Sequence, residues 1–126
     1  MKKTGMMLGL CIAMGLSTAS FAGAKDSHSV YVNVGARIFV GIMGAARNSP
    51  DSQQTLYCYV YSSGFAHCLA TDASGISASC VTGDAELLSV IRSLHSDSYL
   101  EVSYDSSGAC TNIVVGNASI FEPKQP

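Results

Sequence analysis

The sequence predicts an α+β domain in which a mainly antiparallel sheet of about six strands packs against one helix. Several short segments alternate apolar and polar residues, the period of a half-buried strand, whereas only one segment has apolar residues at helical spacing. Turns rich in Gly and Ser separate the strand segments. The resulting order, β-β-β-β-α-β-β, has no repeated βαβ unit and therefore favours an antiparallel sheet.

The chain begins with the features of a secretory signal peptide over residues 1–22. A basic start, MKK, precedes an apolar run from Met6 to Leu16 and small residues around Ala22. We expect cleavage after Ala22, with Ala24 as the alternative site. The apolar run is too short to span a bilayer of roughly 30 Å, so we predict no membrane anchor after cleavage. These features favour a bacterial protein that is secreted or periplasmic.

The remaining residues, 23–126, suit a single exported domain, with 122–126 as a loose tail. They carry five Lys and Arg against nine Asp and Glu, a net charge of −4 with His neutral. The five cations are scattered along the sequence: Lys25, Arg37, Arg47, Arg92 and Lys124. Because nucleic acids and anionic membranes require clustered positive charge, we exclude both as partners.

The first predicted strand is long. From Val30 to Met43 the even positions are apolar, and the alternation predicts one half-buried strand in which Gly35 or Gly41 marks a bulge or bend. The segment 44–52 has the composition of a surface loop.

Three strands follow at close spacing, over 55–61, 65–71 and 76–81. Three-residue loops join them, Ser62-Ser63-Gly64 and Ala73-Ser74-Gly75, and each loop ends in the Gly that a left-handed turn position favours. A meander of three strands is therefore expected.

The one predicted helix runs from about Asp84 to His95. Asp84 suits the amino-terminal cap, and an apolar stripe at helical spacing follows it: Leu87, Leu88, Val90, Ile91 and Leu94. Two further strands, 99–104 and 111–115, flank a turn at 105–108 and complete the predicted sheet.

Four cysteines lie outside the signal peptide: Cys58, Cys68, Cys80 and Cys110. An even number in a small exported domain predicts two disulfides. Zinc sites need closely spaced ligands such as C-x₂-C, and the cysteines here are far more widely separated, so we predict no metal and no other cofactor.

The loop lengths predict the connectivity. A three-residue loop at 62–64 places Cys58 opposite Cys68 at a non-hydrogen-bonded site, where the Cα atoms are about 4.5 Å apart and within disulfide reach. A three-residue loop at 73–75 places Cys68 opposite Cys80 at a wider, hydrogen-bonded site. We therefore favour Cys58–Cys68 with Cys80–Cys110. Cys68–Cys80 with Cys58–Cys110 remains open, and a one-residue error in either loop would invert every face.

The same register sorts the two faces of the meander. Leu56, Cys58, Val60, Ala66, Cys68, Ala70, Ile76, Ala78 and Cys80 point to the predicted core side. The opposite face carries an aromatic group with Leu69 beside it: Tyr57, Tyr59, Tyr61, Phe65 and His67. Tyr offers apolar area together with a polar tip, so these residues are the candidate binding surface for a protein, a glycan or a peptide. The alternative is that they stabilise the sheet under the first strand or the tail.

Catalytic motifs are absent from the sequence. His28, His67 and His95 are the candidate general bases, and Asp72, Asp97 or Glu101 are the carboxylates that could orient one of them. Without a nucleophile motif, we predict a non-enzymatic binding protein, such as an inhibitor of or an adaptor for a secreted or envelope protein. A small secreted hydrolase that uses a His and a carboxylate is the alternative.

Overall fold

The computed structural model describes residues 23–126, so the predicted signal peptide at 1–22 lies outside the described residues. The strands are β1 (Tyr31–Asn33), β2 (Ile38–Ile42), β3 (Thr55–Tyr61), β4 (Phe65–Thr71), β5 (Ser77–Thr82), β6 (Tyr99–Tyr104) and β7 (Cys110–Gly116). The helices are α1 (Met43–Asn48) and α2 (Ala85–Ile91).

These strands form two small antiparallel sheets. One has the order β1-β2-β6-β7 and the other the order β3-β4-β5. The structure confirms a mainly antiparallel β-fold with two disulfides. Residues 23–126 form seven strands in two sheets and two helices, where we predicted about six strands in one sheet and one helix.

The prediction of one long strand from Val30 to Met43 is wrong. A turn over 34–37 folds this segment into the β1–β2 hairpin, in which Val32 opposes Phe39. Asn33 closes the turn, because its Oδ1 accepts a hydrogen bond from the backbone N–H of Ala36 at 2.9 Å. The hairpin changes which positions of β2 are buried: Phe39 is fully buried and Ile38 is not, while Ile42 is buried at the end of the strand.

Helix α1 occupies part of the segment 44–52, for which we predicted a surface loop. The helix is only six residues long and begins without a side-chain cap. Ala46 is buried in the core, and a Cβ atom on Gly44 would collide with the backbone of Glu122. Tertiary packing therefore stabilises a helix too short for a periodic apolar pattern.

The core of the four-stranded sheet is built from large apolar side chains in one row. Val32, Phe39, Val102 and Ile113 oppose one another across β1, β2, β6 and β7. All of them are buried, Phe39 and Val102 completely. Both sheets and both helices contribute to this single core.

The register of the three-stranded sheet is as predicted. Cys58 pairs with Cys68, and Cys68 with Cys80. Gly64 and Gly75 have φ values of 94° and 85°, the left-handed conformation that their loops require. Two residues of the predicted core face are exposed, Val60 at 40% and Ile76 at 48%. The side chains that pack against this face cover its middle and not its ends.

The favoured disulfide connectivity is confirmed. Cys58–Cys68 lies within the three-stranded sheet, whereas Cys80–Cys110 joins β5 to β7 and so links the two sheets. Two disulfides are typical of a protein that folds in an oxidising compartment.

Helix α2 begins where the sequence predicts and ends earlier, at Ile91 rather than near His95. The Oδ1 of Asp84 accepts hydrogen bonds from the backbone N–H groups of Glu86 and Leu87. Leu88 and Ile91 are buried, and the other apolar residues of the predicted stripe pack against them.

The last residues, for which we predicted a loose tail, are held by hydrogen bonds. Asp97 accepts a bond from the backbone N–H of Lys124 at 3.0 Å, and Asn48 accepts one from that of Gln125 at 2.7 Å. Asp26 and Phe121 form a parallel bridge, so the two ends of the described chain lie side by side.

A candidate binding surface on the three-stranded sheet

The predicted aromatic residues lie together on the side of the three-stranded sheet that faces away from the core. We call this surface the aromatic patch: Tyr57, Tyr59, Tyr61, Phe65 and His67. Strand alternation places all of them opposite the buried row of Ala66, Cys68 and Ala70. The Cys58–Cys68 disulfide lies on the core side of the same two strands, so it holds β3 and β4 together directly beneath the patch.

The five rings form a continuous series of contacts. Tyr57 stacks on Tyr59 with ring centroids 4.7 Å apart, and Tyr61 stacks on Phe65 at 4.6 Å. Edge contacts complete the series, from His67 to Tyr57 at 6.0 Å and from Tyr59 to Tyr61 at 6.5 Å. Contacts of this kind order the rings before any partner binds, which lowers the entropy lost on binding.

The patch is open to solvent. Tyr59 is 56% exposed, and Tyr61 and Phe65 are each 42% exposed. The first strand and the tail, which we considered as possible covers, lie elsewhere. Strand β1 pairs with β2 in the other sheet, and the last residues bind Asn48 and Asp97. Sequence reasoning missed Val81, which opposes His67 across the sheet and is 49% exposed on the same surface.

The polar groups of the patch have no protein partner. Within residues 23–126, the hydroxyls of Tyr57, Tyr59 and Tyr61 and the ring nitrogens of His67 make no hydrogen bond. Residues 55–71 also contain no Asp, Glu, Lys or Arg. A surface of aromatic rings with free polar tips and no charge resembles the centre of a protein interface, where charged residues are depleted.

The carboxylates that we considered as partners for a catalytic histidine are engaged elsewhere. Asp72 accepts hydrogen bonds from the backbone N–H groups of Ser74 and Ile76 in its own turn. Asp97 accepts one from the backbone of Lys124. Neither lies within ion-pair distance of a histidine in the described part of the chain.

Glu101, the third of these carboxylates, accepts a hydrogen bond from the hydroxyl of Tyr99 at 2.8 Å. Burial and the Glu101 carboxylate together raise the pKa of Tyr99 to about 12. Both effects favour the neutral phenol, and the hydrogen bond engages Glu101 with Tyr99 rather than with a histidine.

One histidine does lie beside a carboxylate, and the sequence analysis did not pair them. His28 Nδ1 is 3.3 Å from Asp26 Oδ1, and both side chains are more than 40% exposed. They are two positions apart, a spacing that brings side chains to the same side of an extended segment and could have indicated the pair. No hydroxyl or thiol among residues 23–126 hydrogen-bonds to His28.

His28 borders an open cleft of about 280 Å³ that Asn48 and Glu122 also line. Hydrogen bonds from the Ser27 hydroxyl and the Asn48 amide lower the pKa of Glu122. A carboxylate stabilised in its charged form by two donors is a weak base. His28 therefore lines this cleft together with a charged Glu122, whereas Asp26 is not among the residues that line it.

Another open cleft, of about 420 Å³, lies beside the start of β3. Its lining includes Arg47 and Lys124, and no carboxylate in the described part of the chain comes within ion-pair distance of either. Both cations are exposed. Residues 23–126 also contain no group of three or more His, Cys, Asp or Glu side chains that could hold a metal ion.

Neither helix in the described part of the chain is long and apolar enough to cross a membrane. No family model, curated protein or solved structure matches the chain.

Proposed function

We propose that this chain is a small exported bacterial binding protein that recognises a protein partner through the aromatic patch. The observation that carries the proposal is the uninterrupted series of ring contacts, from the partly buried His67 to the exposed Phe65, on a hairpin held by a disulfide. Rigid aromatic anchors bury large areas at low entropic cost and dominate the energetics of protein interfaces.

The absence of charge on β3 and β4 favours a protein over a glycan or a nucleic acid as partner. The inner part of a protein interface is depleted in charged side chains and enriched in Tyr, as the patch is. The role is that of an inhibitor of a secreted or envelope protein, or an adaptor for one. Within this proposal residues 1–22 direct export and are removed, so amino-terminal sequencing of the exported protein is expected to begin at Gly23.

The patch is tested with two tyrosine variants that are matched in exposure. Tyr59 is 56% exposed on the patch, and Tyr31 is 51% exposed on β1 in the other sheet. The oxidised protein is used to capture partners from culture medium and from periplasmic extract, and the dissociation constant of each captured protein is then measured. We expect Tyr59→Ala to weaken binding about tenfold or more, as loss of a central aromatic anchor does, and Tyr31→Ala to leave it unchanged.

Circular dichroism and non-reducing peptide mapping establish that both variants keep the fold and the disulfides. A captured protein that binds Tyr59→Ala as well as it binds the unsubstituted chain would contradict the assignment of the patch. Binding to glycans rather than to proteins, with the same dependence on Tyr59, would retain the surface and overturn the class of partner.

A further inference from the structure

The two outer edges of the three-stranded sheet differ. At the β5 edge, the backbone N–H of Val81 donates to the carbonyl of Gly108 at 3.0 Å, and Val81 forms a parallel bridge with Ala109. The Cys80–Cys110 disulfide fixes the neighbouring residue to β7. At the opposite edge, β3 pairs only with β4 in the described part of the chain.

The geometry of the disulfide shows which groups of β3 point outward. The Cα atoms of Cys58 and Cys68 are 4.0 Å apart, which identifies them as a non-hydrogen-bonded pair. The backbone N–H and C=O of Cys58 therefore point away from β4, and the two-residue period extends this to Leu56 and Val60. Among residues 23–126, no hydrogen bond reaches these outward groups.

The sequence of strand β3 lacks the residues that normally protect an edge. It is seven residues long, contains no Pro and no charged residue, and pairs with β4 without a register shift. Its second half is open, with Tyr59, Val60 and Tyr61 each at least 40% exposed. An uncharged edge strand of this length is a template for pairing with another strand.

We propose that β3 pairs with β3 of a second copy of this chain, antiparallel and about a two-fold axis at Cys58. In this register Cys58 opposes Cys58 of the second copy, and Leu56 opposes Val60. All three outward-pointing residues of each copy then exchange backbone hydrogen bonds. Every opposed pair is uncharged, so the strand is complementary to itself.

The same register joins the two aromatic patches. Tyr57 of one copy opposes Tyr59 of the other at a non-hydrogen-bonded site, where side chains approach most closely. The dimer thus has one continuous aromatic surface on a six-stranded sheet. Pairing of the edges does not depend on the proposed binding function, because it uses the backbone of β3 and not the rings.

The surface area that β3 can bury in the dimer limits the affinity of the dimer. Tyr buries about 150–250 Å² when fully covered, so Tyr59 and Tyr61, each about half exposed, offer roughly 100 Å² apiece. Together with the strand backbone of both copies, the buried total stays below the ~1,200 Å² of stable specific interfaces. The dimer is therefore weak. Because each copy has a net charge of −4 over residues 23–126 and the interface itself has none, added salt strengthens it.

The proposal is tested by sedimentation equilibrium of the oxidised protein between ~10 μM and ~1 mM, at low and high salt. We expect a monomer–dimer equilibrium that shifts toward the dimer as salt rises. Val60→Lys places an ammonium group at the edge and is expected to weaken the dimer at least tenfold. The matched control is Val81→Lys, on the protected edge and of similar exposure, which is expected to leave the dimer intact.

A second variant and a second measurement distinguish loss of the dimer from misfolding. Val60→Pro removes only an outward N–H, which an edge strand tolerates, and is expected to abolish the dimer while the disulfides still form. Hydrogen exchange of the Cys58 and Val60 amides is expected to slow as protein concentration rises.

A chain that stays monomeric at ~1 mM overturns the proposal. Equal effects of Val60→Lys and Val81→Lys also overturn it. Protection of the Cys58 amide that arises only when a foreign protein is added would assign the edge to another partner and not to a second copy.

Discussion

The two sheets of this protein are held together by different means. The three-stranded sheet is built from consecutive segments within residues 55–82, joined by three-residue loops, and apart from Leu56 its buried side chains are small: Ala66, Cys68, Ala70, Cys80 and Thr82. The four-stranded sheet pairs β2 with β6, more than fifty residues apart, and buries Phe39, Leu100 and Val102 completely. No disulfide lies within it; Cys80–Cys110 connects it to its neighbour.

This contrast shows that the two sheets stabilise the fold in different ways. Large apolar side chains in the four-stranded sheet supply most of the burial, while local pairing and a disulfide order the three-stranded sheet. Because its large side chains are not needed in the core, the three-stranded sheet can carry its rings on the outer face. The same division predicts which substitutions affect the free energy of unfolding and which do not.

The largest expected difference is between two phenylalanines. Phe39 is fully buried in the four-stranded sheet, so Phe39→Ala is expected to lower the free energy of unfolding by about 3–5 kcal/mol. Phe65→Ala removes the same ring from the 42% exposed edge of the patch and is expected to cost less than about 1.5 kcal/mol. Urea denaturation of both variants measures the difference, and equal losses would show that the patch contributes to the core.

Removing one disulfide at a time sharpens the comparison. The Cys80–Cys110 bridge closes a sequence separation of 30, and Cys58–Cys68 one of 10. The chain-entropy relation gives about 3 kcal/mol for the shorter loop and about 1 kcal/mol more for the longer one. Paired Cys→Ala variants, followed by thermal unfolding, are therefore expected to be less stable without the link between the sheets. The reverse order would mean that packing, and not the link, joins them.

The smallest expected effect lies where the chain passes from one sheet to the other. Asp51 accepts hydrogen bonds from the side chain and backbone of Gln54 and from the backbone of Gln53, and these donors lower its pKa from 3.8 to about 2. The bond to the side chain orients the Gln54 amide so that its Oε1 accepts from the backbone N–H of Val30, just before β1. A single carboxylate thus supports a contact between the two sheets.

The sign of the pH dependence follows from the lowered pKa. Asp51 stabilises the folded protein fully above its unfolded pKa near 4, and this contribution is lost as the pH falls toward 2. Asp51→Asn is therefore expected to lower Tm slightly at pH 6 and to flatten the fall of Tm between about pH 4 and 2. Because the carboxylate is exposed, solvent screening keeps the effect small. Identical pH profiles for both proteins would contradict the role of Asp51.

Local rules predicted the three-stranded sheet and the candidate site almost completely. Gly64 and Gly75 fixed the loop lengths, the loop lengths fixed the register, and the register fixed the disulfides and the face that carries the tyrosines. The loops and the strand pairs join residues that are close in sequence, so correct loop lengths were enough to give the register. The register could not predict how much of the core face is covered by other residues. Val60 lies on that face and is nevertheless exposed.

The four-stranded sheet was not predictable in the same way. Apolar alternation continues without interruption through the turn at 34–37, and the turn places the left-handed residue at Arg37 rather than at Gly35. Pairing of β2 with β6 depends on a shared core and not on a loop length, and no rule on sequence spacing identifies it. Helix α1, with six residues, is too short for its apolar positions to show a period.

The bridge between Asp26 and Phe121 has a consequence for how this chain can be rebuilt. The backbone N–H of Asp26 donates to Ile120 at 2.6 Å, and that of Glu122 donates to Asp26 at 3.2 Å, so the two ends of the domain already touch. Because Asp26 and Phe121 are paired, a short linker could join the two ends of the domain and give a circular permutant. New termini could then be opened at Ser106–Ser107, in a turn remote in sequence from the patch, without stretching any strand.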